Sequence, residues 1–313
     1  MEKRKIFVIG HKNPDTDSVC SAIAYAQLKN EIDTENEYIP LRAGQTNEET
    51  QYVLKQFGVN APQYVMDVKS QVKDIEIRKV DGVDRNISIK AAWKLMRDIG
   101  VVTLPITRDN KLEGLITIAD IATSYMDVHD STTLSTARTV CKNIVETLDG
   151  ALIIGDEEHV FDRGKVLVAA ANPDLMESYI RMGDIVILGN RYESQLCAIE
   201  MQAGCIVVCE GAPVSMTIKK LAVENHCTII STPHDTFTAS RLINQSVPIS
   251  FFMRTEGLIT FSTEAYTDEV RQVMAKKRHR DFPIHDEQGN YIGMISRRNL
   301  LGMGKKQIIM VYH

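Results

Sequence analysis

The sequence predicts a multidomain α/β protein. Three observations predict it: an opening strand–helix–strand–helix pattern, a structural repeat whose two copies stand 178 residues apart, and a further alternation of strands and helices between those copies. A chain of 313 residues, 44% hydrophobic and 25% charged, is long enough for two to four ordinary globular domains. A net charge of −5 with only 6% aromatic residues argues against a nucleic-acid surface, which needs clustered Lys and Arg interleaved with aromatics. Cys20, Cys141, Cys197, Cys205, Cys209 and Cys227 form no CxxC pair and fall mostly in apolar runs, as reduced core thiols do. No apolar run reaches the length of a membrane span or a signal peptide, so a cytoplasmic protein without membrane contact is expected.

Residues 1–65 open with the strand IFVI at 6–9, followed by a helix at 18–30, a strand at 38–42 and a helix at 47–58. The first helix is apolar nearly all round, at Val19, Cys20, Ala22, Ile23, Ala24, Ala26 and Leu28, which predicts cover on both faces. The loop HKNPDTD follows the first strand, at the carboxyl end where ligands of parallel sheets bind. It brings His11, Asp15 and Asp17 together. One imidazole with two carboxylates suits Mn²⁺, Mg²⁺ or Co²⁺ better than structural zinc, and three donors leave the rest of the shell to come from elsewhere. The plainer reading is a polar loop in which Asp17 or Ser18 caps the helix while His11 and Asp15 stay solvated.

The repeat spans residues 87–121 and 263–300. Each copy has an amphipathic helix, a strand ending at a proline (Pro105, Pro283), a turn, and a second strand (GLIT, GMIS) that runs into another helix. Two such copies are expected to pack as a pair. Between them, ALII at 151–154, KVLVAAA at 165–171, DIVIL at 184–188, CIVVC at 205–209 and CTIIS at 227–231 alternate with helical segments and predict an inserted parallel α/β domain. His234–Asp235–Thr236 reads as a helix cap before Phe237 rather than as a catalytic group.

Thr117 and Asp120 in the first copy, and Ser296 and Asn299 in the second, sit where strand passes into helix. Such a pair is a capping arrangement, and it is equally suited to hold a ribose while the free N–H groups of the helix start attract phosphate. Arg297 and Arg298 fall in the first turn of the second copy's helix, against its dipole, a conflict that an anionic ligand would relieve. Lys277, Arg278 and Arg280 add positive charge in the same copy, although a basic run is also what a solvated surface looks like.

These motifs carry a resemblance that covers essentially the whole chain. HKNPDTDS followed by SAIAYA resembles the opening metal-ligand motif of the DHH phosphoesterases, in particular the family II inorganic pyrophosphatases. The repeat copies resemble CBS domains, with ITIAD and ISRRN matching the strand-to-helix nucleotide motif, and the insertion, with CTIISTPHDTFTASRLI, is similar to a DRTGG domain. The resemblance implies a partial DHH parallel sheet at 1–65, CBS copies at 66–127 and 247–309, a DRTGG-like domain at 128–246 and a return to the DHH domain at 310–313. It implies hydrolysis of pyrophosphate to two phosphates with a Mn²⁺ or Co²⁺ pair, and Mg²⁺ accompanying the substrate. His11 and Asp15 would hold the first metal and Asp17 the second. It also implies AMP, ADP and ATP as regulatory ligands of the CBS copies, and a homodimer formed through them.

In one place the sequence departs from that family. The family's return strand ends in an Asp that bridges the two metals, whereas Tyr312 follows the strand KKQIIMV here, and His313 is the last residue. A phenol, neutral at pH 7, does not replace a bridging carboxylate. The chain is therefore expected to be a truncated form that keeps nucleotide binding with impaired catalysis, and residues 1–65 are expected to pack loosely. The alternatives are a stand-alone adenine-nucleotide sensor and a phosphoesterase completed by a second chain. A DHH-type nuclease is disfavoured by the acidic balance.

Overall fold

The computed structural model describes residues 3–66, 69–126, 130–277, 280–301 and 307–311. Its two compact units cut across the repeat: residues 1–80 with 259–313 form one, and 81–258 the other.

In the first unit a parallel sheet runs in the order Gln307–Met310, Arg4–Ile9, Asn36–Arg42, Gln63–Tyr64. The helix Thr16–Ile32 starts where Asp15 accepts the Ser18 N–H at 2.9 Å, and it buries Ser18, Val19, Ala22 and Ala26. Small side chains at this spacing let the helix lie close against Ile6, Val8 and Tyr38, and Ile309 and Val311 of the returning segment pack on the same core. Cover on both faces is not what the structure has. Leu28 (54%) and Ile32 (66%) remain exposed, so one face of this helix is packed.

The second repeat copy lies in the same unit. The helix Thr267–Lys276 packs on a sheet in which Asp281–His285 is antiparallel to Tyr291–Ser296 and parallel to Phe261–Ser262. The segment 69–80 joins that copy: Arg78 pairs with Met294, and Val72 and Ile75 enter the core of Val270, Met274, Phe282 and Ile295.

The first copy, in the second unit, is built to the same plan. Its helix Ile89–Ile99 is capped by the Ser88 hydroxyl, buries Ile89, Ala92 and Met96 at helical spacing, and ends at Gly100 with φ +64°. Thr103–Arg108 pairs antiparallel with Lys111–Thr117, Val83 runs parallel to Ile106, and Arg254 pairs with Leu115. Each copy thus takes an edge segment from the connector that leads towards the other copy.

The insertion is a five-stranded sheet ordered Ala151–Ile154, Thr228–Ser231, Cys205–Val208, Ile185–Leu188, Val166–Val168. Four strands are parallel, as expected. The edge strand Ala151–Ile154 is antiparallel, which corrects the all-parallel expectation. Every residue of Ile185–Leu188 and Cys205–Val208 is buried, the pattern of strands covered on both faces. Asp235 caps the helix Thr236–Leu242 by accepting the Thr238 N–H at 2.8 Å, as the sequence indicates. Burial raises the thiols of Cys141 and Cys227 to about 12 and that of Cys209 to about 11, which makes them inert core residues. No helix among the described residues is long and apolar enough to cross a membrane.

Candidate functional site

The HKNPDTD loop leaves the carboxyl end of Arg4–Ile9 and turns tightly into the first helix. The turn requires Gly10, since a Cβ there would overlap the Ser18 hydroxyl, which accepts the His11 N–H at 3.2 Å. His11 Nε2 and Asp15 Oδ1 stand 3.4 Å apart. The Ser18 N–H holds the Asp15 carboxyl below the usual value, with the His11 charge acting in the same direction. The capping residue is Asp15, not Asp17 or Ser18, so one carboxylate serves both the cap and the loop. Asp17 lies in the first helical turn and accepts the Ser21 hydroxyl at 3.3 Å.

As a cation cradle the loop fits in part. An imidazole nitrogen and a carboxylate oxygen at this separation can share one divalent ion. Among the described residues, however, no three His, Cys, Asp or Glu side chains gather as a metal group, so Asp17 is not drawn in with the other two. Tyr312 and His313 lie outside the described residues.

The two strand-to-helix junctions have the same geometry. Asp120 Oδ2 accepts both the N–H (2.9 Å) and the hydroxyl (2.7 Å) of Thr117, and the Asp120 N–H donates back to Thr117 Oγ1 at 3.2 Å. Asn299 Oδ1 accepts the N–H (2.9 Å) and hydroxyl (2.7 Å) of Ser296, with the return bond at 3.4 Å. Each junction is a reciprocal cap at the start of Ile118–Met126 or Arg297–Leu301.

Arg297 and Arg298 are both exposed. Arg297 donates from Nη2 to the Met274 carbonyl at 2.7 Å, so its charge is set against the carbonyl end of the preceding helix, Thr267–Lys276. That contact offsets the Arg297 part of the dipole conflict read from the sequence. Arg278 lies outside the described residues.

Two features had no signal in the sequence. Arg254 donates to Asp120 Oδ1 from Nε (3.0 Å) and Nη2 (2.7 Å) across 134 residues. Asp149, at φ +48°, accepts from both Lys90 (3.0 Å) and His234 (2.9 Å). In both cases the partners are joined only by the tertiary fold.

Comparison with known proteins finds three domains along the chain. Residues 5–154 match the DHH family N-terminal domain, 143–246 the DRTGG domain and 250–304 the CBS domain. The fold and its strand-to-helix junctions define a DHH-type α/β protein that carries a CBS and DRTGG region. Over 73% of its length the chain superposes, with TM-score 0.70 and 37% identity, on the whole of a solved chain comprising the CBS and DRTGG domains of the regulatory region of Clostridium perfringens pyrophosphatase, complexed with the activator diadenosine tetraphosphate. It is 40% identical over 313 residues to the cobalt-dependent inorganic pyrophosphatase of Clostridium perfringens, covering 99% of this chain and 57% of that one. It is 31% identical over 309 residues to the probable manganese-dependent inorganic pyrophosphatase of Thermotoga maritima, covering 99% and 56%. The chain therefore carries DHH, DRTGG and CBS domains and is similar, over its CBS and DRTGG region, to the regulatory region of a pyrophosphatase. It spans little more than half the length of these two relatives.

Proposed function

We propose that this chain is part of a metal-dependent inorganic pyrophosphatase regulated by adenine nucleotides. The observation that carries the reading is the 40% identity to a cobalt-dependent pyrophosphatase across 99% of this chain, through all three modules. His11 and Asp15 would hold a Mn²⁺ or Co²⁺ ion, and Asp17 a second, with Mg²⁺ accompanying the substrate. When bound, such ions supply Lewis acidity to the phosphoryl oxygens and activate water for attack. This chain's own part is to hold the imidazole and carboxylate at the mouth of the sheet, on a loop fixed by the Asp15 cap.

In the CBS copies, Thr117 with Asp120 and Ser296 with Asn299 would take the ribose of AMP, ADP or ATP, with phosphate towards the helix starts and, in the second copy, towards Arg297 and Arg298. The activator in the related regulatory region, diadenosine tetraphosphate, supports adenine recognition by this architecture. Pairing of two chains through the CBS copies belongs to the same reading.

Two donors converge in the first loop, and a dinuclear centre needs more. The 313 residues by themselves should bind nucleotide and turn over pyrophosphate poorly. Phosphate release from pyrophosphate with Mn²⁺ or Co²⁺, measured beside a nucleotide titration, tests this. Saturable nucleotide binding with turnover far below that of a full-length relative is expected. Full turnover by these residues in isolation would contradict the reading.

A further inference from the structure

The two CBS copies share their cap geometry but differ in charge. In the first, the residue that closes the cap is Asp120, whose side chain is 13% exposed and whose Oδ1 accepts both Nε and Nη2 of Arg254. In the second it is Asn299, which is neutral. An arginine stands at the corresponding edge position of both copies: the backbone of Arg254 exchanges hydrogen bonds with Leu115 (3.0 and 2.9 Å), and that of Arg78 does so with Met294 (2.9 Å each way). The arginine is common to the copies; the carboxylate is not.

A carboxylate at the start of a helix suits the helix, but it opposes any phosphate drawn to the same N–H groups. The first copy could therefore admit a nucleotide's phosphates only if that charge were offset. We propose that Arg254 is the positioning residue of the first copy's nucleotide site: it fixes the Asp120 carboxylate and cancels its charge, so that the copy accepts a polyphosphate and not merely a nucleoside. This rests on the nucleotide reading of Thr117 and Asp120 given above. A paired guanidinium holds one carboxylate geometry and still turns its remaining N–H groups outward, where Arg254 is 52% exposed.

The test is a titration of the whole chain with ATP and with adenosine, followed by fluorescence of Trp93, which lies on the first copy's own helix. Arg254→Gln should weaken ATP binding about tenfold while adenosine stays within about twofold. Adding Asp120→Asn to that variant should restore most of the ATP affinity, because it removes the uncompensated charge and copies the second repeat. Equal losses for both ligands, tighter ATP binding in Arg254→Gln, or no recovery in the double variant would each overturn the proposal. No response of the unaltered chain to either ligand would instead remove the nucleotide reading on which it depends. Thermal melting of each variant separates an altered site from an altered fold.

Discussion

His234 Nε2 lies 2.9 Å from Asp149 Oδ2, while Asp149 Oδ1 accepts from Lys90 Nζ at 3.0 Å. Lys90 belongs to the first CBS helix, whereas Asp149 and His234 flank strands of the DRTGG sheet, so these three side chains tie two modules of one unit together. The His234 bond first, and Lys90 second, hold the Asp149 carboxyl below its usual value. A depressed carboxylate contributes stability that is present above its unfolded pKa and lost as pH falls through the folded one. The contribution should therefore fade below about pH 4. Asp149→Asn keeps a side chain tolerant of positive φ and removes the charge. It should lower stability at pH 7 by about 0.5 kcal/mol, since the pair is partly exposed, and the loss should shrink as melts are taken to progressively lower pH below about 4.

Gly114→Ala tests the exchanged edge segment. A Cβ at Gly114 would stand 2.8 Å from the Arg254 carbonyl oxygen and 3.1 Å from Met253 Sδ. The Leu115–Arg254 pairing would have to shift. A cost of about 1–3 kcal/mol is expected from such overpacking, readable by denaturant unfolding, together with weaker nucleotide binding at the first copy.

Asp15 has two duties that one substitution can separate. Asn is as good a helix cap as Asp but is not an anionic donor. Asp15→Asn should leave the melting temperature nearly unchanged and weaken Mn²⁺ binding, measured by calorimetry. Asp15→Ala should weaken metal binding and also cost about 1 kcal/mol of stability through loss of the cap.

Thr117→Val removes the hydroxyl of the first copy's reciprocal cap. A loss of about 1 kcal/mol is expected, because Asp120 loses the 2.7 Å bond and its own N–H loses its acceptor. The second copy should respond alike to Ser296→Ala, with a smaller effect, since its return bond is longer at 3.4 Å. Differential scanning calorimetry of the two variants ranks them.

Much of this architecture was legible in the chain. The apolar runs of the insertion became strands because Ile185–Leu188 and Cys205–Val208 are buried along their whole length, which leaves little choice of element. The antiparallel course of Ala151–Ile154 was not legible, since four apolar residues carry no direction. Nor was the exchange of edge segments, because its contacts, such as the Tyr291 hydroxyl to the Val80 carbonyl, join residues 211 apart. The candidate metal loop was read as gathering His11, Asp15 and Asp17, and the structure sets His11 and Asp15 3.4 Å apart. The helix start at Thr16 then carried Asp17 into the first turn, beside Ser21. Arg254 on Asp120 was invisible for the same reason as the edge exchange: the fold alone brings them together.

The most direct test of nucleotide binding at the two strand-to-helix junctions is a calorimetric titration of this chain with AMP, ADP and ATP, beside a folded Thr117→Val, Ser296→Ala double variant. Saturable binding by the unaltered chain that is lost in the double variant is the predicted result. The absence of saturable binding, or affinity unchanged in the double variant, would contradict it.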